Sequence, residues 1–197
     1  METGLAISLT SNGHMLTTKL VSQLESALNF LRISVDGVGA TYESIRGQSF
    51  EELLKRLSIL KGRIPFGINY DVNKTTISDL SEAAKIFESY GAHELLLLPE
   101  EPFGLGEKID DYTLECLKIW IDGYSGGLKL SVSSGFKDMV DSLVPLENES
   151  NLLAYAHIDA VGQIKRTSFE STGRRIDEGG VMNAFRELYD TEESFNL

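Results

Sequence analysis

Leu31-Arg-Ile-Ser-Val-Asp-Gly37 decides the fold. It is a strand of mostly apolar residues, interrupted by the hydroxyl of Ser34 and closed by Asp36-Gly37, a turn dipeptide. Upstream, Leu5-Ala-Ile-Ser-Leu9 reads as a buried strand, Ser11-Asn12-Gly13 as its turn, and 17–28 as a helix with Leu20, Val21, Leu24 and Leu28 on one face. Downstream, Ser49-Phe-Glu-Glu52 is a capping box: the Ser49 hydroxyl accepts from the Glu52 amide and the Glu52 carboxylate reaches back. The helix it opens carries Phe50, Leu53, Leu54, Leu57 and Leu60. A strand over 65–72 and a helix over 79–90, stopped by Gly91, come next. Leu95-Leu-Leu-Leu98 is a fully buried strand, followed by a helix over 110–122 and a strand over 128–132.

Strands alternating with helices at this spacing predict an α/β class with a parallel sheet and right-handed crossovers. Four or five such units make half to two-thirds of a barrel, so the expectation is a partial parallel β/α barrel. After the polar stretches 123–127 and 147–151 the pattern changes. Segments 155–159 and 163–169, joined at Gly162, read as a β-hairpin, and 180–189 as a last helix with a frayed tail behind it. The expected organisation is a barrel part over residues 1–147 and a small hairpin-plus-helix extension over 148–197.

Composition excludes several functions. With 30 acidic and 18 basic residues the net charge is −12, and no Lys/Arg cluster offers a phosphate-binding patch, so no nucleic-acid partner is expected. No apolar run nears the roughly 18 residues of a membrane span, and METGLAISLTS lacks a basic leader, so no membrane role and a cytoplasmic location are expected. The single cysteine, Cys116, excludes an internal disulfide and an all-cysteine metal or iron–sulfur site built from these residues alone.

Ligands of parallel sheets bind where strand carboxyl ends and helix N-termini converge. The polar residues expected on that rim are Ser11, Asn12 and Gly13, then Ser34 and Asp36, Asp71 and Asn73, and Glu100 and Glu101. Each is also an ordinary turn-former, except Ser34, whose hydroxyl interrupts an apolar strand and needs a partner. Gly104-Leu-Gly106 is too short for a dinucleotide fingerprint. His157-Ile-Asp159 puts two polar side chains on one strand face without a third ligand, so a hydrogen-bonded structural histidine is expected. Cys116 reads as a small buried hydrophobe, and no Ser/His/Asp order is visible. The residues offer a ligand rim, with no catalytic residue and no metal ligand assigned.

In sequence order the motifs become specific. Ser8-Leu-Thr-Ser-Asn-Gly-His-Met-Leu16, Leu31-Arg-Ile-Ser-Val-Asp-Gly37 and Ile45-Arg-Gly-Gln-Ser-Phe50 resemble the run TNG-x-LL … ISLDG … RG-x-G-F of radical S-adenosylmethionine (radical SAM) enzymes. Gly67-Ile-Asn-Tyr-Asp-Val-Asn73, the helix to Tyr90-Gly-Ala92 and Leu95-Leu-Leu-Leu-Pro99 are similar to the fifth strand, fifth helix and sixth strand of that family's six-stranded partial barrel. Residues 156–162 through 181–185 resemble the C-terminal extension of its peptide-modifying, SPASM-type members.

The resemblance implies S-adenosylmethionine (AdoMet) as cofactor, with Ser34 and Asp36 near its ribose, Asn12 and Gly13 on the rim beside them, and Asn73 towards the adenosine. In the family, reductive cleavage of the sulfonium yields a 5′-deoxyadenosyl radical that takes hydrogen from the substrate. The C-x-x-x-C-x-x-C motif of its [4Fe–4S] cluster and the GGE motif that follows are not in these 197 residues, nor are auxiliary cysteines in Ile164-Lys-Arg-Thr-Ser-Phe169. The expectation is therefore part of a peptide maturase, unable to bind the cluster or turn over alone, or a scaffold module derived from that fold. In either case an N-terminal half, a partner chain or a second copy would cover the exposed first strand.

Overall fold

Helices and strands alternate from residue 8 to residue 132, as the periodicity requires. The computed structural model describes residues 6–101, 107–132, 156–167 and 170–193. The chain divides into two compact units, Met1–Pro145 and Leu146–Leu197.

In the first unit β1 (Ser8–Ser11), β2 (Phe30–Val35), β3 (Phe66–Val72), β4 (Glu94–Pro99) and β5 (Lys129–Val132) form one parallel sheet in the order β1-β2-β3-β4-β5. Sequential order with right-handed crossovers winds every helix onto one face, the arrangement of a barrel rather than of a doubly wound sheet. The helices are α1 (Thr18–Leu24), α2 (Gly39–Arg46), α3 (Phe50–Leu60), α4 (Leu80–Ser89), preceded by a one-turn 3-10 helix, and α5 (Asp111–Gly123). Leu53, Leu57 and Leu60 of α3 and Leu80, Ala83, Ala84 and Phe87 of α4 bury their stripes against Leu31, Ile33, Val35, Phe66, Ile68, Tyr70, Leu95 and Leu97.

Local chemistry sets the boundaries. Thr17 Oγ1 accepts from the Leu20 amide and Asp110 Oδ1 from the Thr113 amide, capping α1 and α5. Ser49 Oγ accepts from the Glu52 amide at 3.3 Å, but the Glu52 carboxylate turns to Lys55 Nζ at 2.8 Å. The Phe50 amide donates to Glu43 Oε1 instead, so only half of the capping box forms. Gly91 stands at φ +91°, the left-handed stop expected after α4.

Several expectations are corrected. The first strand is an exposed edge rather than a buried strand, with Ile7 and Leu9 48% and 40% exposed. The helix over 17–28 ends at Leu24. Between β2 and α3 the structure adds α2, whose apolar residues are too few for the periodicity to reveal it. The strand expected over 128–132 does form, as β5, one parallel strand beyond the one that the resemblance counts as last. Cys116 is half-buried.

The second unit holds β6 (His157–Ile158), β7 (Gln163–Lys165) and β8 (Arg174–Arg175), an antiparallel sheet, with α6 (Gly180–Glu193). The expected hairpin gains a third strand, and the helix continues past Tyr189 to Glu193. Its small core is Ile164, Ala184 and Leu188. Asp159 Oδ1 caps the turn by accepting from the Val161 and Gln163 amides while Oδ2 pairs with Lys165 Nζ at 2.7 Å, so Asp159 is structural. Gly104-Leu-Gly106 and the stretch 147–151 lie outside the described residues.

Candidate functional site

Alternation along β2 and β3 sends Arg32, Ser34 and Asp36, and Gly67, Asn69 and Asp71, to the face without helices. The register pairs Ser34 directly with Asn69, and Asp71 with Leu98 of β4. At the carboxyl ends of these strands Ser34, Asp36, Arg46, Asn69, Asp71 and Leu98 line a cleft of about 300 Å³. That size is at the low end for small-molecule sites.

Arg46 reaches the cleft from the last turn of α2 and forms an ion pair with Asp36, Nη2 donating to Oδ1 at 2.9 Å. The entry to α2 is fixed by Asp79 Oδ2, which accepts from the Val38 amide at 3.1 Å. Gly37 makes this turn at φ +84°, and a Cβ there would lie 2.5 Å from Thr41 Cγ2. Below the cleft, Tyr70 donates its hydroxyl proton to the Thr76 carbonyl at 2.8 Å, and burial, then Asp79, Asp36 and Asp71, push its ionisation up.

Within the cleft lining, Asp71 is held well above the usual carboxylate range. Burial, then the Asp36 and Glu100 carboxylates, push its pKa up to about 6, against a smaller opposing pull from the Asn73 hydrogen bond and Arg46. It therefore holds a proton in part of the molecules near neutrality. Its Oδ2 accepts from Asn73 Nδ2 at 3.0 Å.

Of the nine predicted rim residues, Ser34, Asp36 and Asp71 meet in the cleft. The other six lie outside its lining. Asn12 Oδ1 accepts from the His14 amide at 3.1 Å, and Gly13 is buried at φ +79°, where a Cβ would lie 2.9 Å from Leu53 Cδ1. Asn73 Oδ1 accepts from the Thr75 and Thr76 amides, so Asn73 reaches the cleft only through Asp71. Glu100 Oε1 accepts from the Glu107 amide at 3.2 Å, and Glu101 is exposed.

Sequence reasoning missed Arg46 and Asn69. Arg46 stood inside a quoted motif, but a basic residue in the last turn of a helix is ordinary. Asn69 shares strand parity with Asp71, a usable signal, but its pairing with Ser34 depends on a register that only the sheet reveals.

The Ser34 hydroxyl and the Asn69 Nδ2 have no partner among the described residues, and one oxygen of Asp71 is likewise open. Half-buried polar groups left unpaired on a concave surface are groups prepared for a ligand.

No protein-family model matches the chain. The AdoMet-dependent heme synthase of Methanosarcina barkeri is 31% identical over 118 residues, covering 56% of this chain and 33% of that protein. The native structure of anSMEcpe with bound AdoMet superposes with a TM-score of 0.61 at 14% identity, over 95% of this chain and 58% of that one. A domain of a pyruvate-formate lyase-activating enzyme from Bacteroides vulgatus gives a TM-score of 0.52 at 15% identity, over 66% of this chain and 83% of that one. The chain is thus similar in sequence to an AdoMet-dependent heme synthase over 118 residues and shares the fold of these two structures. It spans about a third of the heme synthase that it matches.

The residues of this chain do not fit a [4Fe–4S] cluster. Cys116 is the one cysteine, half-buried on α5, and no group of three His, Cys, Asp or Glu among the described residues could hold a metal. They do fit the nucleoside side of AdoMet: hydroxyl and amide donors beside a carboxyl suit ribose hydroxyls and ring heteroatoms, and Leu98 supplies an apolar wall. No helix of the described residues is long and apolar enough to cross a membrane.

Proposed function

We propose that this chain forms the AdoMet-facing wall of a radical SAM enzyme that modifies a peptide, with the cluster cysteines carried by polypeptide outside these 197 residues. The observation that carries the reading is the convergence of unpartnered Ser34, Asn69 and Asp71 groups in one cleft at the strand carboxyl ends. The heme synthase relative named for AdoMet and the AdoMet-bound fold neighbour support the cofactor. A peptide-bound structure of that neighbour, at a TM-score of 0.57, supports the substrate class. A cytoplasmic location belongs to the same proposal.

Bound AdoMet supplies the hydrogen-abstracting chemistry once it is reduced. The residues of this chain bind and orient it. Ser34 and Asn69 donate to the nucleoside, and the Asp71 carboxyl accepts from a ribose hydroxyl or, protonated, donates. Asp36 and Arg46 neutralise each other and hold the wall rigid, so the cleft presents little net positive charge and does not select phosphate.

A second reading rests on β1, whose outer edge pairs with no strand among the described residues and which exposes Leu9, with Ile7 just before it. A parallel strand from the cluster-bearing polypeptide would cover it, and so would a second copy in a non-catalytic scaffold. Calorimetry with AdoMet and S-adenosylhomocysteine tests the first reading, followed by assay of 5′-deoxyadenosine after mixing with a polypeptide carrying the cluster motif. Micromolar binding weakened about tenfold by Ser34→Ala supports it. No binding with or without that polypeptide overturns it.

A further inference from the structure

Asn69 is held from one side only. Its Oδ1 accepts from Arg32 Nη1 at 3.4 Å, while Nδ2 is free among the described residues and Asn69 lines the cleft. Arg32 is itself anchored. Its Nη2 donates to Glu94 Oε2 at 2.7 Å, and its guanidinium lies 5.3 Å from the centre of the Phe30 ring. Glu94 is 7% exposed, and its other oxygen accepts from Ser131 Oγ at 2.6 Å, with Lys129 Nζ 3.8 Å away. One brace thus runs from β5 through β4 to β2 and ends on Asn69 of β3.

A guanidinium has donors and no acceptor, so the Asn69 atom facing Arg32 must be the oxygen. The planar amide then turns its NH2 away from Arg32. We infer that Arg32, locked by Glu94, is a positioning residue that sets the Asn69 carboxamide with its NH2 towards the cleft. The Ser34–Asn69 pair then reads a hydrogen-bond acceptor of the bound nucleoside. The inference rests on the AdoMet reading of the cleft for its ligand, and on the brace alone for the orientation. A flipped amide would set its oxygen against that acceptor and leave both unpaired, the arrangement that discriminates most strongly between ligands.

The test uses the full chain labelled with ¹⁵N, the Asn69 side-chain signals being assigned by their loss in Asn69→Asp. Arg32→Lys keeps a positive charge for Glu94 but replaces the two-armed fork by a single point. The Asn69 NH2 is expected to be rigid in the native chain and mobile in Arg32→Lys, with the backbone signals of α3 and α4 unchanged. Should Arg32→Lys fail to fold, Ser131→Ala loosens Glu94 more gently and is read in the same way. S-adenosylhomocysteine is expected to shift the Asn69 NH2 signals and to bind Arg32→Lys about tenfold more weakly. Equal mobility of the Asn69 NH2 in native and variant chains overturns the positioning role whatever the ligand does. A rigid native amide with no ligand shift on β2 or β3 overturns the AdoMet reading, and with it the recognition half of the inference.

Discussion

The two faces of the five-stranded sheet are built from neighbouring residues and behave oppositely. Towards the helices Leu31, Ile33, Val35, Ile68, Tyr70, Val72, Leu95 and Leu97 are all 0% exposed. Between them in sequence, Arg32, Ser34, Asp36, Asn69, Asp71 and Glu94 face the other way and carry charge or hydrogen-bonding groups. One face stores stability by burial, and the other trades apolar area for polar groups that are braced near the strand starts and open near the strand ends. A barrel interior lined this way is suited to a ligand rather than to a packed core.

The sharpest break of that comparison is between adjacent residues. Ile68→Ala should cost about 4 kcal/mol in urea unfolding, because it empties a fully buried site. Asn69→Ala, one residue on, should cost only about 1 kcal/mol, the bond to Arg32, while weakening nucleoside binding about tenfold. A large stability loss at Asn69 would show that the polar face is packed as tightly as the other.

Next in size is Arg32→Met, which leaves the Glu94 carboxylate buried with only Ser131 and Lys129 beside it. It should destabilise by about 3 kcal/mol, whereas the double variant Arg32→Met, Glu94→Leu should recover most of that loss. Additive losses in the double variant would mean that the pair is not a coupled unit.

The pH dependence sharpens the comparison further. Folded Asp71 keeps its proton up to about pH 6, while its ordinary value is 3.8, so folding takes up a proton between the two. Its contribution to stability is present in full below pH 3.8, falls as pH rises through 6 and is flat above. Asp71→Asn should therefore stabilise the protein by about 1 kcal/mol at pH 7.5, an amount discounted for the solvent that reaches the cleft, and have little effect near pH 4. Thermal midpoints at the two pH values check this. The smallest effect belongs to Ser34→Ala: its stability change should be within about 0.5 kcal/mol, so that any loss of binding reports the hydroxyl alone.

Much of this was legible in the residues themselves. The alternation of β2 and β3, the helical stripes of α3 and α4 and the cap at Ser49 are local, and local patterns predicted the parallel α/β order. Ser34 was legible too, because a hydroxyl inside an apolar strand demands a partner. Other features were not. α2 carries too thin an apolar stripe to be seen, and β8 pairs over only two residues. The exposure of β1 depends on which strand neighbours it, which no local window contains.

The single cysteine, the acidic charge, the alternating pattern and the motif order were determined by the sequence alone, since each is a property of composition or spacing. Only the tertiary structure decided that Ser34 stands beside Asn69, that Arg46 closes on Asp36, and that Glu94, 62 residues from Arg32, turns an asparagine towards the cleft. Those facts depend on strand register and on loops that bring distant residues to one rim. Such pairings are chosen by the burial of the opposite face, because a one-residue slip of register would expose that face to water.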